Sequence, residues 1–200
     1  MGILFGKPKP ESIYQELATK IVYAALQYRR DLNHPNHQLT CVAGTEFTYC
    51  LLHMLDRATF NILGASKRDT VFDEVLKRVI ADYSRSVFVP STPAAAVENL
   101  ALQMFETMNE RQDLYSHCKS LTDEVFPSRG TIIFALAYFI HLALGRTTRK
   151  DVEDVLRGEK NVTQENNDAF PDADEILKLA IYVNAFLGAA KLEDSIRDLR

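Results

Sequence analysis

Residues that interrupt regular structure are scarce in this chain: 8 glycines and 7 prolines among 200 residues, below the roughly 12% that the two contribute together in ordinary proteins. That scarcity excludes collagen-like and low-complexity architectures and points to long regular elements joined by few tight turns. Alternating apolar and polar residues, the mark of a half-buried strand, are also missing. The stretch Ser86-Val87-Phe88-Val89 reads as an extended linker into Pro90, which leaves helices as the building material.

Cysteine is nearly absent as well. Cys41, Cys50 and Cys118 are an odd set without framework spacing, which excludes a disulfide scaffold and fits free thiols in a reducing compartment. Ile3, Leu4 and Phe5 near the start are followed by Pro8 and Pro10, so the apolar core of about seven or more residues that a secretory signal needs is not there. Gly2 is in place for myristoylation, but the hydroxyl that pattern wants near the sixth position is missing, where Gly6 and Lys7 stand. Asn161-Val162-Thr163 matches a glycosylation sequon, which without an export signal is a chance match. No apolar run approaches the roughly 20 residues of a membrane-spanning helix. The expected address is the cytoplasm.

Basic residues show no excess. The net charge is −4, and pairs such as Arg29-Arg30 and Lys77-Arg78 are isolated, unlike the dense face of a nucleic-acid binder. What the chain does have is an ordinary globular composition, 46% hydrophobic and 25% charged. At this length about 70% of the unfolded surface can be buried. The expected fold is therefore an all-α multi-helix bundle of about 6–7 helices, with residues 1–9 a flexible N-terminal segment and residues 10–200 a single helical domain.

Apolar spacing and end signals place the helices. The first runs from Pro10 to Leu32 on a stripe of Ile13, Leu17, Ile21, Ala24 and Tyr28, and the polar loop Asn33-His34-Pro35-Asn36-His37 follows it. The second spans Thr45 to Leu63 before Gly64, and the third Lys67 to Ser86 behind a capping pair of Ser66 and Asp69. A fourth opens at Thr92-Pro93 and runs toward His117, with a break expected near Asn109. The fifth, Ser128 to Leu144, is apolar from Ile132 to Leu144 except for His141, which predicts a central helix near 131–145. Thr148 and Asp151 cap a short sixth helix ending at Arg157-Gly158. A polar loop over 159–171 precedes a seventh from Asp172 to Leu199, whose weakening stripe past Leu187 predicts a tail that projects or docks on a second subunit.

Motifs that carry chemistry are few. The Glu-x-x-His of di-iron bundles, a Gly-rich phosphate loop and a nucleophile elbow are all lacking. So are the acidic pairs of helical pyrophosphatases and the His-Asp doublet of helical phosphohydrolases. His34-x-x-His37 with Cys50-x-x-His53 has finger-like spacing, but one pair sits in a proline loop and the other inside a helix, so no metal site is expected. At 100° per residue, Glu46, Cys50, His53, Arg57 and Asn61 share one side of the second helix, facing either water or an internal pocket. His141 lies in the apolar stretch of the fifth helix, with Tyr138 one turn earlier. Glu46, His53, Arg57, Tyr138 and His141 are thus the candidate ligand pocket, provided the second and fifth helices turn these faces toward each other.

With no catalytic grouping and no cofactor motif, the leading expectation is a non-enzymatic helical module that self-associates or binds a protein partner. The alternatives are a small-ligand or metal-binding bundle built on that pocket, and a nucleic-acid-associated regulator using Arg146, Arg149 and Lys150 at the start of the sixth helix.

Overall fold

A computed structural model describes residues 8–118, 121, 130–159 and 170–200. Among these, the chain forms helices and no strand: α1 (Pro10–Asp31), α2 (His37–Leu63), α3 (Ala65–Ser86), α4 (Ala94–Ser116), α5 (Ile132–Ala143), α6 (Arg149–Arg157), α7 (Ala173–Ala190) and α8 (Leu192–Arg197). Residues 1–7 and nearly all of the 159–171 loop lie outside the described residues. No described helix is long and apolar enough to cross a membrane.

α2 packs against α1, α3, α4, α5 and α8, and every residue from Ala43 to His53 is buried. It begins eight residues earlier than its apolar stripe predicts. Asn36 supplies the start signal, its side chain accepting the N–H groups of Gln38 at 3.0 Å and Leu39 at 3.2 Å. The first turns are rich in threonine and low in apolar content, yet Thr40, Thr45 and Thr48 each return their hydroxyl to a carbonyl one turn back. Gly44 belongs there for a packing reason. A Cβ at that position would run into the Tyr83 hydroxyl, which crosses from α3 to donate to the Cys41 carbonyl at 3.0 Å.

α5 is enclosed as its composition requires, buried everywhere except Phe134 and Leu142, which are half-buried. It packs on α2, α6 and α7. Its cap is Thr131, accepting from the Phe134 N–H. Residues 122–129, including the expected start at Ser128, lie outside the described residues. α6 starts and stops where predicted, with Thr148 capping Asp151 and Gly158 in the left-handed conformation.

Other boundaries differ from expectation. α3 begins at Ala65, and Ser66 makes no cap because Gly64, at φ 77°, turns the chain directly from α2 into α3. Pro93 rather than Thr92 is the residue before α4. α4 runs through Asn109 unbroken, since Met104, Met108, Arg111 and Tyr115 keep one continuous buried face. The seventh helix is divided: α7 ends at Lys191, in the left-handed conformation at φ 47° and ψ 44°, and α8 turns back onto the bundle. The tail does not project. Leu192 and Ile196 are buried, and Ser195 donates to Glu16 of α1 at 3.0 Å.

Candidate functional site

The first half of α2's polar side, with Glu46 and His53, faces α4, while Arg57 is half-buried and Asn61 exposed. Glu46 receives a two-pronged bond from Arg111, Nε to Oε2 at 2.7 Å and Nη2 to Oε1 at 2.6 Å. The guanidinium also lies 4.1 Å from the centre of the Phe139 ring of α5. Burial holds the Glu46 carboxyl above the usual carboxylate range, against the pull of Arg111. Two turns on, His53 Nδ1 lies 2.5 Å from the Gln112 amide oxygen. An amide oxygen only accepts, so Nδ1 carries the proton and Nε2 is left as an acceptor. His53 Nε2, Gln112 Nε2 and the Tyr115 hydroxyl are buried with no hydrogen-bond partner among the described residues. The Tyr115 ring joins the two halves, 5.4 Å from His53 and 5.8 Å from Phe139 between centroids.

His141 points elsewhere. Its Nε2 lies 3.0 Å from Glu175 Oε2 of α7, and Arg146 donates to Glu175 Oε1 at 2.9 Å. These groups line a cleft of about 380 Å³ between α1, α5 and α7. Tyr28 and Tyr182 line the same cleft; Tyr28 stacks on Phe47 of α2 at 4.4 Å, and Tyr182 meets Tyr28 edge-on at 5.4 Å. The Tyr182 hydroxyl donates to Asp31 at 3.1 Å, and burial together with that carboxylate pushes the phenol up. Lys178 completes the rim.

The five residues singled out from the sequence therefore occupy different places. Glu46 and His53 share one buried α2–α4 network. Arg57 lies outside it, donating to the Cys118 carbonyl at 3.0 Å. Tyr138 packs its ring between Phe134 and Phe170. His141 alone of the five lines the cleft. Arg111, Gln112 and Glu175 are the partners that the sequence does not single out: Arg111 and Gln112 carry no signal, and Glu175 is one of three acidic residues at the start of α7. It is a cap too, closing a reciprocal capping box with Asp172.

The histidine and cysteine pairs with zinc-like spacing do not meet, because Cys50 and His53 are buried mid-helix while His37 opens α2, about 20 Å away at 1.5 Å per residue. Among the described residues no three His, Cys, Asp or Glu side chains are grouped to hold a metal ion. At the start of α6, Arg149 is held by Glu110 at 3.0 Å and Glu153 at 2.9 Å, so this end of the helix is a mixed-charge surface. Comparison with protein-family models, curated proteins and solved structures finds no match to this chain.

Proposed function

We propose that the chain is a non-enzymatic helical module that self-associates through the outer face of α7. One observation carries this reading. From Leu179 to Ala190 the helix contains no charged residue, yet its outer side is open: Leu177 is 43% and Ile181 61% exposed, and Ala185, Gly188 and Ala189 continue the exposed face. Asn184 is the polar residue on this exposed face, and Asp174 and Lys178 flank its N-terminal end; the apolar remainder with a polar edge is the composition of an interface, and small residues let a second helix approach closely. A two-fold pairing of α7 with α7 of a second copy would cover this face on both chains at once.

The buried chemistry agrees with a non-catalytic role. Glu46 is tied to Arg111, and burial pushes the Cys50 thiol up, away from the reactive thiolate. Cys41, Cys50 and Cys118 are all free thiols, which supports a cytoplasmic setting.

The test is sedimentation equilibrium of the full chain from micromolar to near-millimolar concentration. The wild type should be a dimer or larger, and L177E/I181E a folded monomer by circular dichroism. A wild type that stays monomeric throughout, or a double variant that associates equally well, would overturn the reading.

A second reading rests on the His141 cleft, whose volume of about 380 Å³ falls within the roughly 300–1,000 Å³ of small-molecule sites and in which His141 and Arg146 meet on the Glu175 carboxylate. A fragment screen by NMR that shifts Tyr182 and Arg146 signals in wild type, but not in H141Q, would favour it. Fragments shifting neither would remove it.

A further inference from the structure

A second cleft, at the end of the bundle where α1 hands over to α2, has a different character. It encloses about 620 Å³ and is lined by Arg29, Arg30, His34 and His37, with Tyr23 and Leu26 as its apolar part; no carboxylate is among its lining residues. That is unusual in a chain whose net charge is −4.

The arginines make the contrast clear. Arg68, Arg78, Arg111, Arg146, Arg149 and Arg197 each stand within ion-pair distance of a carboxylate. Arg29 and Arg30 have none among the described residues, as is also true of Arg200, which bonds the Ile62 carbonyl; Arg29 and Arg30 differ in standing side by side in one cleft. Arg29 donates instead to the His37 imidazole, and Arg30 to the Gln27 amide oxygen at 2.5 Å. A guanidinium can only donate, so each uses a neutral acceptor where an anionic one would bind it more strongly. His34 adds a ring whose Nδ1 accepts the Asn36 N–H at 3.2 Å, leaving Nε2 as the nitrogen that carries its N–H. The cleft also sits at the N-terminal end of the 27-residue α2. Its first backbone donors are taken by the Asn36 side chain, so the helix contributes its positive field and not its N–H groups.

We propose that this cleft binds a phosphoryl group, carried on a small organic molecule or a lipid headgroup whose remainder lies against Tyr23 and Leu26. A tetrahedral dianion offers several acceptor oxygens at once. It can take the fork of Arg29, a second bond from Arg30 and the imidazole N–H donors of the two histidines, replacing the neutral acceptors that now occupy the arginines. The site is separate from the α7 face and from the His141 cleft, so its failure leaves both earlier readings standing.

The experiment follows the histidine ring and arginine side-chain NMR signals of the full chain as inorganic phosphate is added, against sodium chloride of equal ionic strength. Phosphate should produce saturable shifts at His34, His37, Arg29 and Arg30, with a dissociation constant of about a millimolar or below. R29Q/R30Q should weaken binding by about tenfold or more, the loss of at least one charge-assisted hydrogen bond. R149Q/K150Q removes the same charge from α6 and should bind as wild type does. If R29Q/R30Q does not fold by circular dichroism, R30Q alone takes its place, because Arg30 projects from the exposed side of α1. Adenosine monophosphate and phosphatidic-acid vesicles then separate the sources: tighter binding of the nucleotide assigns a soluble phosphoester, and binding of the vesicles in preference to it assigns a lipid headgroup. Shifts no larger than chloride produces, shifts scattered over other basic residues, or equal loss in R149Q/K150Q would overturn the proposal.

Discussion

Arg111 and Glu46 form a fully enclosed ion pair between α4 and α2, their side chains 8% and 7% exposed. Both prongs of the guanidinium are used, and its flat face rests on Phe139, so one contact ties three helices together. Taking either charge out of water costs several kcal/mol, and the pair offsets that cost only while both members are present. Glu46→Ala or Arg111→Ala is therefore expected to destabilise the fold by about 3–5 kcal/mol, since each leaves the other charge buried alone. E46L/R111M should recover most of the loss, because two apolar side chains of similar size carry no desolvation cost. Urea unfolding of the three variants checks this, and a single substitution costing under about 1 kcal/mol would contradict it.

Gly44 and Tyr83 make the same kind of argument for packing. The Tyr83 hydroxyl occupies the space that a side chain at position 44 would need and bonds to the Cys41 carbonyl. Gly44→Ala gains helix propensity of up to about 1 kcal/mol, but it forces the α2–α3 contact apart at a cost of about 1–3 kcal/mol. We expect a net loss. Tyr83→Phe removes the obstructing oxygen, so Gly44→Ala should be tolerated better in that background. Thermal melts of the double-mutant cycle should show a favourable coupling, and strict additivity would rule out the clash.

His53 sets a pH dependence. Burial holds its imidazole below the ordinary range, while the Gln112 hydrogen bond acts in the opposite sense. With the folded value depressed, the unfolded chain binds more protons once the pH drops below about 6.5. The associated stability is present at neutral pH and declines as the pH falls from there toward the folded value, by at most about 1.4 kcal/mol per pH unit. Unfolding free energies of wild type and His53→Gln at pH 7, 6 and 5 isolate this residue from the other histidines. The wild type should lose more than the variant on acidification, and parallel curves would remove His53 as the cause.

How far the candidate site could be read in the sequence differs from residue to residue. Glu46 and His53 stand out on a helical projection as polar groups on a mostly apolar helix, and the structure places both inside. Their partners could not be foreseen: Arg111 lies 65 positions from Glu46 and sits on a helix with several other charges. His141 was visible as the polar residue in an apolar run, but its partner Glu175, 34 positions on, also serves as a helix cap, and that local role accounted for it completely.

Local signals thus determined the helical class of this protein, the burial of α5 and the ends marked by Thr148, Asp172 and Gly158, because capping and apolar periodicity act within a turn or two of the chain. Tertiary packing alone decided the rest. It holds the threonine-rich turns of α2 between neighbouring helices, behind a start that the Asn36 cap marks locally. It also bent the last helix at Lys191 against that residue's own backbone preference, since the turn brings Leu192 and Ile196 under cover. Whether Glu46 and His141 would share a pocket depended on the rotation of α2 and α5 about their axes. That rotation is set by which large side chains fit together between helices far apart in sequence, and here it turned Glu46 toward α4 and His141 toward α7.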